Sequence, residues 1–172
     1  MPKIVRKSPA KIIPQESDRY IGIDPGQKGG LVCLSKYSVI SAIPMPESER
    51  DIWNWFDEYP ATTVTKALIE QVSAMPGQGV TSMFTFGRGY GFLRACLVGH
   101  KIPFEEVRPQ AWQKHYSLSG KMNKKLRKEK QRAKAQQIFP ELDIWTNINT
   151  KGKQLAISDA LLIAEYCRRN YT

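Results

Sequence analysis

The chain is short of acid. Sixteen Asp and Glu stand against 26 Lys and Arg, a formal net charge of +10 over 172 residues. A protein this basic usually meets a polyanion. Cysteine is scarce too. Cys33, Cys96 and Cys167 are odd in number, far apart and each in an apolar setting. That favours buried thiols in a reducing, intracellular compartment over metal ligands or disulfides. No apolar run approaches the roughly 18 residues of a membrane span. The first residues, MPKIVRKSPAKIIPQ, are basic and hold three prolines, without the apolar core of a signal peptide. Residues 1–18 therefore read as a basic arm able to touch nucleic acid, and residues 19–172 as one domain with a full core. Histidine is limited to His100 and His115. Both are isolated and read as surface residues, with His115 close enough to a basic segment to touch phosphate. No internal repeat is present. What remains, 41% hydrophobic and 24% charged residues, is ordinary for a globular protein.

The chain is organised around YIGIDPGQKGGLVCLS, residues 20–35. It reads as a strand carrying Asp24, a break at Pro25-Gly26, a turn at Gly29-Gly30 and a returning strand. Ile21, Ile23, Leu31 and Cys33 alternate with other residues, which suits a sheet with one well-buried face. An Asp ending an apolar strand is costly to bury without a partner. Backbone N–H groups cradling a phosphate would supply one, and a divalent cation shared with other carboxylates another. Asp-Pro-Gly is also plain turn chemistry.

A third strand is expected over 39–43, then a short amphipathic helix over 51–59 with Ile52, Trp53 and Phe56 as core. KALIEQV, residues 66–72, reads as a fourth strand, apolar up to Ile69 and then presenting Glu70. A helix over about 82–98 contains Gly87, Gly89 and Gly91, which suggest close helix approach, a kink or a dimer seam. A fifth strand follows over 102–107, and Pro109 opens another helix. From Lys121 to Lys134 eight cations face one acid, Glu129. Leu126, Ala133 and Ile138 are expected to seat this helix on the body. Its like charges repel, and a phosphate backbone would relieve them. The last helix, expected over 153–169, is largely apolar and plants Asp159 on an apolar face. A carboxylate near a helix N-terminus is favoured by the dipole alone, so this acid has a bland explanation as well.

The element order fits a five-stranded mixed sheet of order 3-2-1-4-5, an α/β arrangement flanked by helices. Strands one and four are neighbours in it, so Asp24 and Glu70 can face one another while the last helix brings in Asp159. Three convergent carboxylates need cations, and hard oxygen ligands favour Mg2+ or Mn2+.

With those acids placed, the chain resembles the ribonuclease H-like superfamily. Within it, IGIDPG, IEQV, SDALLIAEY, MPGQGVTSMFTFGRGYG and VRPQAW resemble RuvC-type Holliday junction resolvases, including the phage and chloroplast branch, over roughly residues 19–170. The resemblance implies a homodimeric endonuclease that nicks four-way DNA junctions with two divalent metal ions per site and no nucleotide cofactor. It implies that Asp24, Glu70 and Asp159 are the catalytic, metal-binding acids, and that the helix after Glu70 forms much of the dimer interface. Relatives usually carry a fourth Asp or His about one turn before the last acid. Here Leu155 and Ala156 stand there, with Lys153 or Lys151 the nearby cations that could substitute. The expected DNA contacts are Arg108, Lys121, Lys124, Lys125, Arg127, Lys128 and Arg132. Met75 and Gln78 are expected to reach the junction centre, with Phe84 or Phe86 as further wedges or as interface core. A non-catalytic nucleic-acid-binding protein, a transposase and a nuclease acting on RNA–DNA hybrids share the same framework. An ATPase half, suggested by DPGQKGG, needs two such domains, and this chain is too short for them.

Overall fold

The computed structural model of the chain describes residues 18–73, 77, 79–146 and 151–172. The basic arm expected at the N-terminus therefore falls outside the described residues, apart from Asp18.

Three strands form an antiparallel meander: β1 (Arg19–Asp24), β2 (Gly30–Leu34) and β3 (Val39–Pro44). Helix α1 (Glu49–Asp57) leads to β4 (Val64–Glu70), which pairs parallel with β1. Helix α2 (Val80–Gly99) leads to β5 (Phe104–Val107), parallel to β4. The sheet order is β3-β2-β1-β4-β5, as the element order predicts. Helices α3 (Pro109–His115), α4 (Lys124–Ile138) and α5 (Lys151–Tyr171) follow, with a short 3-10 turn at Asp143–Trp145 between the last two. None of the described helices is long and apolar enough to cross a membrane.

Strands β1 and β2 are buried on both faces, where alternation suggested one. Ile21, Ile23, Leu31, Cys33, Ala67 and Ile69 meet α1 and α2. Tyr20, Val32, Leu34 and Leu68 meet α5 and the aromatic residues Trp112, Tyr116 and Phe139. Because side chains alternate along a strand, Asp24 shares a face with Tyr20 and Gly22, and Glu70 shares one with Leu68. Both acids therefore lie on the α5 side, at the C-terminal ends of neighbouring strands.

Two glycines set how closely this framework closes. A Cβ on Gly22 would stand 2.3 Å from both Ala160 O and Ala164 N, so α5 lies directly on the β1 backbone. A Cβ on Gly29 would stand 2.0 Å from Asp24 O, so only glycine allows the hairpin to fold back against the end of β1. Elsewhere the caps are ordinary. Ser48 accepts from Asp51 N at 3.1 Å to open α1, and Asn123 Oδ1 accepts from Leu126 N at 2.8 Å to open α4.

Several expectations change. Helix α4 does not sit on Leu126 and Ala133, which are exposed; Gln131 and Ala135 form its buried face, with Ile138 half-buried beside them. The positions i, i+3 and i+7 from Lys128 to Ala135 turn toward α5, so the helix rests on its small and polar residues. In α1 the core residues are Ile52, Trp55 and Phe56, while Trp53 lies at the surface over His100, ring centroids 4.3 Å apart. His100 is not an idle surface residue. Its ring bonds Asp57 and Cys96 O, each at 2.8 Å, and ties α1 to α2. His115 packs edge-on against Tyr116 and Tyr166. Gly87, Gly89 and Gly91 have open space around them, so no close approach inside the described chain explains them. All three cysteines are buried free thiols, as expected.

Candidate metal and nuclease site

Asp24 ends β1 with 8% of its surface exposed, and Asp159, in the third turn of α5, keeps 4%. Glu70 ends β4 beside them, half-buried. The helix delivers Asp159 because Gly22 lets α5 lie flat on β1 at Ala160, the next residue along. Trp112, wholly buried in α3, donates its indole N–H to Glu70 Oε2 at 2.8 Å. This bond fixes one oxygen of Glu70 and leaves the other unassigned.

The fourth member of the group is a cation. Lys128 Nζ, from α4, makes a short hydrogen-bonded ion pair with Asp159 Oδ2 and lies 3.9 Å from Asp24 Oδ2. Asp159 Oδ1 is buried with no hydrogen-bond partner. An unpartnered buried carboxylate oxygen is costly, and it persists where a ligand is meant to complete it.

Burial pushes the Asp24 carboxyl well above the usual range, and the charge of Asp159 adds to this against the opposing pull of Lys128. Asp159 also stands above the usual range, because burial outweighs the ammonium that favours its charged form. Glu70 rises from 4.5 to about 7 through burial, partly offset by the Trp112 hydrogen bond. For Lys128, burial works against the charge, but the pull of Asp159 and Asp24 prevails and raises its pKa. These shifts have a definite sign for stability. Folded Glu70 keeps its proton up to about pH 7, whereas the unfolded chain releases it near 4.5. The contribution is therefore full below 4.5 and is lost as pH rises through about 7, and Asp24 acts in the same direction. We expect the thermal midpoint of the metal-free protein to fall between about pH 5 and pH 8, with Glu70→Gln flattening that slope. A midpoint that rises over this range would contradict the burial assigned to these acids.

The donor set fits a hard divalent cation in kind: three carboxylates, no sulfur, and one oxygen of Asp159 waiting for a partner. Among the described residues, however, no three such side chains stand at metal-holding spacing. The Lys128 ammonium stands with the two aspartates instead.

No family model matches the chain, and no curated protein matches it in sequence. Solved structures do match. Thermus thermophilus RuvC in complex with Holliday junction substrate aligns with a TM-score of 0.56 at 14% identity, over 88% of this chain and 96% of that one. A second structure of Thermus thermophilus RuvC gives 0.53 at 16% identity, over 89% and 97%. The chain has a RuvC-type fold. The fold class expected from the order of strands and helices, ribonuclease H-like with sheet order 3-2-1-4-5, is therefore the one observed.

On the RuvC-type framework the expected site residues separate into groups. Asp24, Glu70 and Asp159 come together at one end of the sheet. Leu155 and Ala156, one turn earlier on α5, present no ligand, and Lys153 is exposed. The cation beside the acids is Lys128, which the charge pattern had placed on the DNA-facing surface. Lys121, Lys124, Lys125 and Arg108 are exposed, and Arg108 follows Val107, the partner of Glu70 in the sheet register. Arg127 is half-buried, and Arg132 turns inward to Gln154 Oε1 at 3.2 Å. Phe84 is 73% exposed, while Phe86 packs over Gly26. Met75 and Gln78 lie outside the described residues. Sequence reasoning missed the Trp112–Glu70 bond altogether. It had a signal for Lys128, which shares a helical face with Gln131 and Ala135, but the density of charge around it masked that face.

Proposed function

We propose that the protein is a divalent-metal-dependent endonuclease that resolves four-way DNA junctions by hydrolysing phosphodiester bonds. The observation that carries this reading is the cluster of buried Asp24 and Asp159 with half-buried Glu70, where α5 meets the ends of β1 and β4 in a RuvC-type fold, with Asp159 Oδ1 left unpartnered. One of the matching structures is a RuvC bound to Holliday junction substrate. Asp24, Glu70 and Asp159 would hold Mg2+ or Mn2+. The chemistry a pair of such ions supplies is a water activated for attack at phosphorus and charge stabilisation for the leaving oxygen. The chain's own part is to exclude bulk water, to orient Glu70 through Trp112, and to aim the carboxylates by the Gly22 contact.

Lys121, Lys124, Lys125 and Arg108 supply an exposed basic surface for the backbone of the DNA arms. Replacing Lys121, Lys124 and Lys125 together by Ala should weaken junction binding and flatten its dependence on salt. The slope of log affinity against log salt should fall by about one for each lysine that contacts phosphate. An unchanged slope would move the DNA surface elsewhere.

Helix α2 supports a homodimer. Val80, Phe84, Gly87, Gly91, Ala95 and Val98 recur at helical spacing and are all exposed, an apolar and small-residue stripe with open space beside it. Sedimentation velocity reads this state directly, and a monomer at micromolar concentration would remove it.

The experiment that tests the function is an end-labelled four-way junction incubated with the protein in Mg2+ or Mn2+, each strand read separately. Paired symmetric nicks near the branch point support a resolvase. Leu155 and Ala156, where the family resemblance implies a fourth Asp or His, favour a second reading: a junction-binding protein that does not cut. Tight binding without nicks in either metal would select it.

A further inference from the structure

Lys128 is the feature that the proposed cation site leaves unexplained. It belongs to a helix on which Lys124, Lys125 and Lys130 face solvent. Its ammonium instead sits on Asp159 and beside Asp24. We propose that Lys128 is a built-in counter-ion of the carboxylate site, which a divalent cation must displace in order to bind. This rests on the reading of Asp24, Glu70 and Asp159 as a cation site.

Three observations carry it. Lys128 holds only Oδ2 of Asp159, and Oδ1 stays buried without a partner. The ammonium thus stands in for part of a cation's work, because one nitrogen with three donors cannot serve the oxygens of three carboxylates. Second, the carboxylates are not at metal-holding spacing as they stand, so they must shift as the ammonium leaves. Third, the Lys128 side chain is 34% exposed, which gives it a way out. One turn earlier on the same helix stand Lys124 and Lys125 on the exposed flank. A displaced Lys128 joins that flank, where a DNA phosphate can take it.

The physical balance favours exchange. Three carboxylates and one ammonium leave the cluster short of positive charge. A divalent cation brings twice the charge and takes several oxygens at once. Where the two cations compete, the lysine weakens the apparent affinity for metal. A phosphate that draws Lys128 outward removes that competition, so DNA and metal bind with positive coupling, each raising the affinity for the other by the same factor.

The test is calorimetric titration of Mn2+ into the DNA-free full chain, comparing the natural protein with Lys128→Met and Lys128→Arg. Lys128→Met should bind Mn2+ about tenfold more tightly, a change of ~1.4 kcal/mol. Lys128→Arg keeps the charge and should stay nearer the natural protein. Equal affinity in the natural protein and Lys128→Met overturns the inference and leaves the cation site standing. Weaker binding by Lys128→Met also overturns it, since the lysine would then be helping to hold the metal. Absence of Mn2+ binding in both the natural protein and a folded Lys128→Met removes the cation site itself, and the inference with it. Amine-reactive labelling of the natural protein, read at Lys128 by mass spectrometry, keeps the question open to decision if the Met variant does not fold. Reactivity should rise several-fold on addition of Mn2+. Unchanged reactivity at Mn2+ concentrations that saturate the calorimetric signal overturns the proposal.

Discussion

Asp24→Asn should abolish junction cleavage, by on the order of 10³-fold or more, while junction binding changes little. The substitution keeps the shape of the side chain and removes its charge. Asp24 sits where the three carboxylates meet, and a neutral amide there holds a divalent cation far less well. Binding should survive because, on the proposed reading, the DNA backbone meets surface lysines that Asp24 does not touch. The same change should raise the melting temperature of the metal-free protein. Burial makes the Asp24 charge expensive, and Asp159 and Glu70 add like-charge repulsion. Opposite movement of activity and stability in one variant is what a functional, unfavourably placed carboxylate predicts. A turn residue predicts something else: cleavage intact. End-labelled junctions and a thermal melt of the same preparation decide between them, and cleavage at the natural rate would end the metal-site reading.

Gly22→Ala should strongly destabilise the protein and disturb the site with it. Its Cβ would lie 2.3 Å from backbone atoms of both Ala160 and Ala164. A flexible side chain could turn aside, but a helix backbone cannot, so α5 must lift from β1. Overpacking of this kind costs about 3 kcal/mol or more where the neighbour is rigid. For a domain of this size that is a fall of roughly 6–12 °C in melting temperature. The damage should also reach the site, because Asp159 lies one residue before Ala160 on the helix that has to move. We expect cleavage to fall even at temperatures where the variant remains folded. A variant that melts within a degree or two of the natural protein would mean that α5 is not held at the distance described.

Much of this was legible in the chain itself. Alternation in IGID and the apolar run of ALIE put Asp24 and Glu70 at the ends of apolar strands, and the order of strands and helices made those strands neighbours. Such patterns are local, and local patterns survive folding. Likewise Asp159 on an apolar helix face needed no structure to be noticed. The excess of 10 positive charges pointed toward a polyanion before any surface was known.

Contacts between distant elements were a different matter. His100 could not be tied to Asp57, nor Trp112 to Glu70, because each pair lies 42 or 43 residues apart with no spacing rule to join them. The glycines of α2 suggested close approach, a kink or a dimer seam, and the described residues pack nothing against them. Lys128 marks the boundary most clearly. One lysine among eight cations looks like the others in sequence, and solvent is the cheapest place for each of them. Only the arrangement of β1, α4 and α5 supplies the paired aspartates that make burial of one ammonium favourable. The sequence by itself determined which groups carry charge and which strand ends hold them. Tertiary structure alone decided which of the cations meets the acids, because that choice depends on electrostatic partners brought together from 104 residues apart, Asp24 to Lys128.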